Sequence, residues 1–454
     1  MAKHFNPVTF GAKGDGLSDD SEAFSAALSA IREAGGGVLT LKRGLWRTGP
    51  IELFSHTTLY LERGAVLSFI PEPARYTPVY TRWEGVECYA MQPLLFARGA
   101  QEVTLAGEGT LDGNGLSWWN AYREKRRLKQ TEPQSREELE LARLNRGFEK
   151  HPGGGGGRRL QFLRPPLAQF YKCTHCTIEG ITLTNSPFWT LHPVFCEDIT
   201  IRRVSIFNPK DSPNTDGIDI DSCRRVLVED CHVSVGDDGI AIKSGADEDG
   251  RRAGIPSENI TVRNCLVEAA HGGLVIGSET AGGVSRALAE NCRFTGTDRG
   301  IRIKTRRGRG GKISGLEFRG LEMEKNLCPL AINMYYRCGA DTITDMDAVF
   351  SQDPQPVNKT TPSIKDIVVQ DCRATGCRAS AGFVAGLPES PVENLLIKDC
   401  AFSVAEDDSA SPSESDMFLG IPAVQEKSMR FLNVRQLRME NVRVEGAKDP
   451  FLYR

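Results

Sequence analysis

Acidic residues crowd one stretch of the chain, Asn214-Thr215-Asp216-Gly217-Ile218-Asp219-Ile220-Asp221, and a second cluster follows at Gly236-Asp237-Asp238-Gly239. Downstream stand His271-Gly272-Gly273 and Arg302-Ile303-Lys304. Asp216 precedes Asp238 by 22 residues, Asp238 precedes His271 by 33, and His271 precedes Arg302 by 31. Each interval is close to one coil of a solenoid, and positions one coil apart in a parallel solenoid stack about 4.8 Å apart. On that geometry three carboxylates, an imidazole, a guanidinium and an ammonium form one vertical stripe. Carboxylates at close quarters cannot all ionise freely, so one is kept protonated. A protonated acid beside an ionised base is what glycoside hydrolysis needs: one protonates the leaving oxygen, the other activates water. Arg302 and Lys304 alternate on a strand, point the same way and can grip a carboxylate, Arg bidentately. An acidic sugar is therefore the expected substrate class. Asn-Thr-Asp-Gly and Asp-Gly are also turn formers, and Arg-x-Lys on a strand can be a solvated face. Independent turn residues, however, have no reason to share a coil period. Arg306, Arg307, Arg309 and Lys312 extend the basic run, either steering a polyanion or lying in a solvated loop.

The elements that must carry this stripe are visible as a repeat. A six-residue phrase of alternating apolar and polar residues, closed by Asp, Asn, Gly or Arg and a small or apolar residue, starts at Cys176, Ile199, Val226, Ile260 and Ala287. It returns at Leu316, Ile367, Leu395 and Leu437, after intervals of 29, 51, 28 and 42 residues. The two long intervals imply either a hidden coil or a long loop. Each phrase reads as a short strand with one buried face. Further short strands lie between, such as Ile240-Ala241-Ile242-Lys243 and Ile301-Arg302-Ile303-Lys304. Several short strands per repeat with little helix predict an all-β parallel β-helix. A leucine-rich repeat lacks its leucine-asparagine ladder here, and propeller blades are longer. Near the N-terminus, Ala23, Phe24, Ala27, Leu28 and Ile31 mark one amphipathic helix, capped by Asp20 or Ser21 and ended by Gly35-Gly36-Gly37. It reads as a plug over the first coil. The charged stretch Tyr122–Gly157 ends in five glycines, Gly153–Gly157, and reads as a surface loop or small helix with a flexible hinge. The expected organisation is a single β-helix domain over 1–454: N-terminal cap and first coils in 1–70, coils with long insertions in 71–165, and regular coils carrying the active site in 166–454.

Composition excludes several classes. Net charge is −3 and hydrophobic residues are 40% of 454, so the chain is neither disordered nor basic in the manner of a nucleic-acid-binding domain. No run of 18 apolar residues suggests a membrane span. The segment Met1–Pro7 lacks the apolar stretch of a signal peptide, which makes a cytoplasmic location the expectation. The 13 cysteines cannot all pair within one chain. Asp230-Cys231, Asn264-Cys265, Asn291-Cys292, Asp371-Cys372 and Asp399-Cys400 place thiols at one repeated position, as small buried residues. Cys173-x-x-Cys176 has no second pair to complete a zinc site.

The motifs as a set resemble those of the polygalacturonase family, glycoside hydrolase family 28, and are similar to bacterial exo-polygalacturonases. Asn214-Thr215-Asp216, Gly236-Asp237-Asp238, Ala270-His271-Gly272 and Arg302-Ile303-Lys304 stand in the family's order. Ala270 replaces the first glycine of the Gly-His-Gly motif. Phe10–Gly16, Leu111–Gly115 and Trp118-Trp119 are similar to the family's N-terminal half. The resemblance implies a right-handed parallel β-helix and inverting hydrolysis of α-1,4 galacturonosyl linkages. It casts Asp237 as general acid, Asp216 and Asp238 as the groups that position and deprotonate water, and His271 as the group tuning the acid. Asn214, Arg302 and Lys304 would bind substrate, the last two through its carboxylate. Asp219 becomes a supporting carboxylate. Tyr335, about one coil beyond Arg302, is a candidate to stack on a sugar, with a core tyrosine the plain alternative. No metal or cofactor is implied. The implied partner is an acidic oligosaccharide, an oligogalacturonide or pectin fragment, with no nucleic acid and no membrane. Pro71–Pro93 and the Tyr122–Gly157 insert are long enough to close one end of a groove, which favours exo action. A rhamnogalacturonan or xylogalacturonan hydrolase is the alternative within the family. A Ca²⁺-dependent pectate lyase and a non-catalytic carbohydrate-binding β-helix are the rivals outside it.

Overall fold

The computed structural model describes residues 3–150, 156–338, 340, 343–405, 410–418 and 424–453. It divides into two compact units. The first comprises Met1–Trp83, Glu87–Asp219 and Cys223–Gly236; the second comprises Glu84–Val86, Ile220–Ser222 and Asp237–Arg454. Both are built in the same way, as coils of short parallel strands in three ladders.

In the first unit one ladder runs through Gly37–Leu41, Thr57–Leu61, Thr104–Gly107, Thr174–Glu179, Glu197–Arg202 and Arg224–Glu229. A second runs through Gly44–Thr48, Ala65–Phe69, Thr110–Asp112, Thr182–Thr184, Ser205–Phe207 and His232–Ser234. A third joins Ile51–Leu53, Leu95–Arg98, Ala168–Tyr171 and Leu191–Val194. In the second unit the site-bearing ladder runs Asp238–Lys243, Gly272–Ile276, Arg299–Lys304, Cys328–Asn333, Gly382–Ala385, Met429–Leu432 and Phe451–Tyr453.

The sequence repeat is the register of these ladders. Cys176 pairs with Ile199, and Ile199 with Val226. In the second unit Ile260 pairs with Ala287, then Leu316, Ile367, Leu395 and Leu437 in turn. Both long intervals are therefore loops between adjacent coils, not hidden coils. The first of these loops carries the helix Ile343–Phe350. The fifth residue of each phrase explains its own type. Gly180, Arg203, Asp230, Asn264, Asn291, Gly320, Asp371, Asp399 and Asn441 all have φ between 50° and 74°. Asn, Asp and Gly tolerate that left-handed turn at least cost, so the repeat selects them. The cysteines that follow are buried free thiols.

The helix Ser21–Glu33 buries the five residues expected of it, with Phe24 packed edge-on against Trp46 at 6.3 Å. Asp20 stands at its N-cap position, but its carboxylate accepts from the backbone of Lys13 (2.7 Å) and Gly14 (3.1 Å) rather than from the helix. The charged insert holds two helices, Leu116–Arg127 and Arg136–Leu144. The first is anchored by buried Trp118, Trp119 and Tyr122, and the second starts on a Ser135–Glu138 capping box. Of the expected glycine hinge, residues 153–155 lie outside the described residues. Among the described residues no helix is long and apolar enough to cross a membrane.

Candidate active site

Along the strands of the site-bearing ladder, core and outer residues alternate. Ile240, Leu274, Ile301 and Leu330 are register partners and buried, as are Ile242, Ile276, Ile303 and Ile332. Val275, Arg302 and Ala331 form the intervening row, so the two-residue alternation turns Arg302 and Lys304 away from the isoleucine core. Gly272 makes room: a Cβ there would lie 2.5 Å from Val275 Cγ2 and 3.1 Å from Arg302 Cδ.

Asp237 and His271 sit at the entries of consecutive strands. The His271 N–H donates to the Asp237 carbonyl at 2.8 Å, and the Arg299 N–H to the His271 carbonyl at 3.2 Å. This stacking brings His271 Nδ1 to 3.0 Å from Asp237 Oδ1. The Asp237 side chain is 22% exposed and that of His271 49%, so both face solvent. The hydrogen bond to Asp237 raises the His271 pKa above its usual 6.5, against an opposing desolvation. Ala270 does not have positive φ; the left-handed residue here is Ala269, at 53°. The replaced glycine therefore strains nothing.

Asp238, next in sequence, is 1% exposed. Arg302 Nη1 donates to its Oδ1 at 2.5 Å and Lys304 Nζ to its Oδ2 at 2.7 Å. Burial opposes its charge, but Lys304, Arg302 and Lys243 outweigh burial and hold the carboxyl far below the usual range. Lys304 stays protonated for the complementary reason. Burial and Arg302 press its pKa down, and Asp238 more than offsets them. Oxygens of Asp237 and Asp238 approach within 4.8 Å of one another.

In the first unit, Asn214 adopts a left-handed conformation (φ 57°). Its Oδ1 accepts from Arg164 Nη2 at 2.7 Å. Arg164 also donates to the carbonyls of Pro187 (3.0 Å) and Pro213 (2.9 Å), with its guanidinium over the Tyr122 ring. The Asn-Thr-Asp turn is thereby pinned. Asp216 is 3% exposed, and its carbonyl accepts from Thr190 N–H at 2.8 Å. Asp219 is fully buried. In the second unit Asp221 accepts from Gly245 N–H at 3.1 Å, a turn-holding contact.

Two expectations need correction. Tyr335 is buried with no exposure and stacks on Phe418 at 4.1 Å, so it is a core ring and not a sugar platform. The ring near the cations is Tyr336, 5.7 Å from Arg302 and 5.2 Å from Lys304. The strand Cys328–Asn333 ends before both rings, so a distance of about one coil beyond Arg302 does not tell Tyr335 from Tyr336. Arg306, Arg307 and Arg309 are neither steering charges nor solvated. They are buried, with Arg306 and Arg309 on Asp247 (3.2 and 3.1 Å) and Arg307 on Glu389 (2.6 Å). Only Lys312 of that run is exposed.

The sequence reading also passed over Lys243, which pairs with buried Glu279 at 3.3 Å. Lys243, Arg309 and Lys304 overcome the burial penalty and bring Glu279 to about 2. A signal was present, because Lys243 ends Ile-Ala-Ile-Lys as Lys304 ends Ile-Arg-Ile-Lys.

This is a right-handed parallel β-helix with carboxylates, an imidazole and two cations on adjoining coils. Residues 157–408 match the family Glycosyl hydrolases family 28, and the chain belongs to it. A probable polygalacturonase of Vitis vinifera is 30% identical over 408 residues, covering 88% of this chain and 74% of the grape protein. A hyperthermoactive exopolygalacturonase from Thermotoga maritima is 33% identical, with a TM-score of 0.77 over 98% of this chain and 92% of its own. A family 28 exopolygalacturonase of Yersinia enterocolitica has the same fold at 18% identity, with a TM-score of 0.75 over 100% of this chain and 78% of that one. The segment 411–418, which packs on Arg302, lies just beyond the matched residues.

Proposed function

We propose that the protein hydrolyses α-1,4 galacturonosyl linkages of oligogalacturonides, releasing units from a chain end. The observation that carries this reading is the pairing of Asp237 with His271 beside an Asp238 clamped by Arg302 and Lys304. The Asp237–His271 pair is solvent-facing and holds a proton in weakly acidic solution, which suits delivery through Asp237 to the leaving oxygen. Asp238 is held ionised and is a weak base, so it orients water better than it deprotonates it. Asp216 shares the coil spacing, and the family resemblance casts it as the second carboxylate that positions water. Asn214, Arg302 and Lys304 hold the sugar, the two cations through its carboxylate.

A lyase would need the carboxylates to hold Ca²⁺, and the two cations on Asp238 offset the negative charge that would attract one. Exo action is supported by the Thermotoga relative, named an exopolygalacturonase. It is also supported by how the tip Glu84–Val86, between the strands Pro78–Trp83 and Val86–Met91, is seated. Ala246 N–H donates to the Gly85 carbonyl at 2.8 Å. A Cβ on Gly85 would come within 2.7 Å of both Ala246 N and Glu279 Cγ. The tip is therefore fastened to the segments that follow the strands ending at Lys243 and Ile276, as a wall would be.

Inversion follows from the family resemblance. The test is incubation with oligogalacturonides in EDTA, following product mass, ultraviolet absorbance and the first anomer by proton NMR. Saturated galacturonate appearing as the β-anomer is expected, with rate cut about 10²- to 10⁴-fold in Asp237→Asn. An absorbing, EDTA-sensitive product would end the hydrolase reading. An α-anomer would replace inversion with retention, and longer products from the start would replace exo with endo cleavage.

A further inference from the structure

Arg302 uses its guanidinium unevenly. Nη1 goes to Asp238, while Nε donates to the thioether of Met417 at 3.2 Å. Its Nη2 has no acceptor among the described residues. The edge formed by Nε and Nη2 is one that takes a carboxylate bidentately, and here a weak sulfur acceptor stands on half of it.

Met417 is delivered by a firmly tied segment. Asn333 Nδ2 donates to the carbonyls of Asp416 (2.8 Å) and Met417 (3.1 Å). Buried Arg430 donates to the Asp416 carboxylate at 3.0 Å. Met417 itself has φ 54°, a strained setting for a side-chain-bearing residue. Connecting segments ordinarily run in solvent and leave their polar groups there. This one buries Asp416 at 3% exposure and Ser415 completely, while Met417 stays half-buried. The backbone is thus immobilised and the one adaptable side chain is left facing Arg302. Methionine, with three rotatable bonds, can swing aside without moving the chain.

We propose that Met417 is a specificity-determining placeholder: its sulfur occupies the Nε side of Arg302 in the empty site and yields it to the carboxylate of an incoming uronate. The inference rests on the reading of Arg302 as a uronate ligand. It assigns segment 411–418 to the wall of that subsite. A thioether is weak enough to be displaced by an anion, whereas an amide oxygen would compete.

The experiment compares wild type, Met417→Leu and Met417→Gln in steady-state hydrolysis of oligogalacturonides. The Met417 methyl resonance of ¹³C-methionine-labelled wild type is also followed during titration with galacturonate and with galactose. Met417→Gln should raise KM about five- to tenfold with kcat within twofold and unchanged Tm. Met417→Leu should leave KM at or below the wild-type value. The methyl resonance should move with galacturonate and not with galactose. An unchanged KM in Met417→Gln, a fall in kcat and Tm together, or a methyl resonance indifferent to galacturonate would each overturn the proposal. If wild type cleaves no galacturonide yet the methyl resonance responds to galacturonate alone, the hydrolase reading fails and the placeholder stands.

Discussion

Arginine meets carboxylate across stacked coils on two faces of the second unit, with opposite consequences. On the ladder formed by Ser257–Arg263 and Val284–Glu290, Arg286 pairs with Glu258, side chains 60% and 22% exposed. On the site-bearing ladder Arg302 pairs with Asp238, side chains 6% and 1% exposed. Outside, water screens both charges and the pair adds little. Inside, each charge has lost its hydration, and the arrangement persists only because two cations share one carboxylate. The outer pairs decorate a fold that the buried isoleucine rows already define. The inner cluster is costly to build and strongly shifts the titration of its members, as catalytic clusters do.

The largest effect should come from breaking the inner cluster. Asp238→Asn removes the partner of two buried cations, and should lower stability by about 3 kcal/mol and activity by at least about a hundredfold. Calorimetry and initial rates measure these together. A variant as stable as wild type would mean that the inner pair is no more demanding than the outer one.

An intermediate effect concerns the half-exposed pair between these extremes. His271 titrates above its usual 6.5 because Asp237 bonds its charged form. Its folded pKa exceeds the unfolded one, so its stabilising contribution is complete below about 6.5 and fades as pH rises through the folded value. Activity should decline over that same alkaline limb. In NMR titrations the His271 midpoint should fall back in Asp237→Asn; an unmoved midpoint would show that the 3.0 Å contact is not what raises it. The smallest effect belongs outside. Glu258→Gln should change stability by less than about 0.5 kcal/mol and leave turnover unaltered. A loss matching that of Asp238→Asn would erase the distinction between the faces.

Much of this is legible in the sequence. Periodicity alone singles out Cys176, Ile199 and Val226, and they are direct register partners. The same holds from Ile260 to Leu437. The reason is physical: a solenoid makes tertiary neighbours out of equivalent sequence positions, so a repeat is a contact map. Asp237 and His271, and Asp238 with Arg302 and Lys304, were legible by the same rule. Other features were not. The core ring of Tyr335 and the cation-facing ring of Tyr336 are adjacent in sequence, and only the turn after Asn333 tells them apart. Arg306, Arg307 and Arg309 look like a solvated run until Asp247 and Glu389 are brought to them.

By itself, then, the chain's alternation, its left-handed Asn, Asp and Gly positions and its coil period determined the parallel β-helix and the meeting of Asp237 with His271 and of Asp238 with Arg302 and Lys304. Tertiary structure decided which of those groups are dry and which are wet, because burial depends on what packs against each side chain. It decided too that Met417, 115 residues from Arg302 and outside the repeat, lies against that guanidinium. Loops obey no period, so their partners are set by packing and hydrogen bonding that no local pattern encodes.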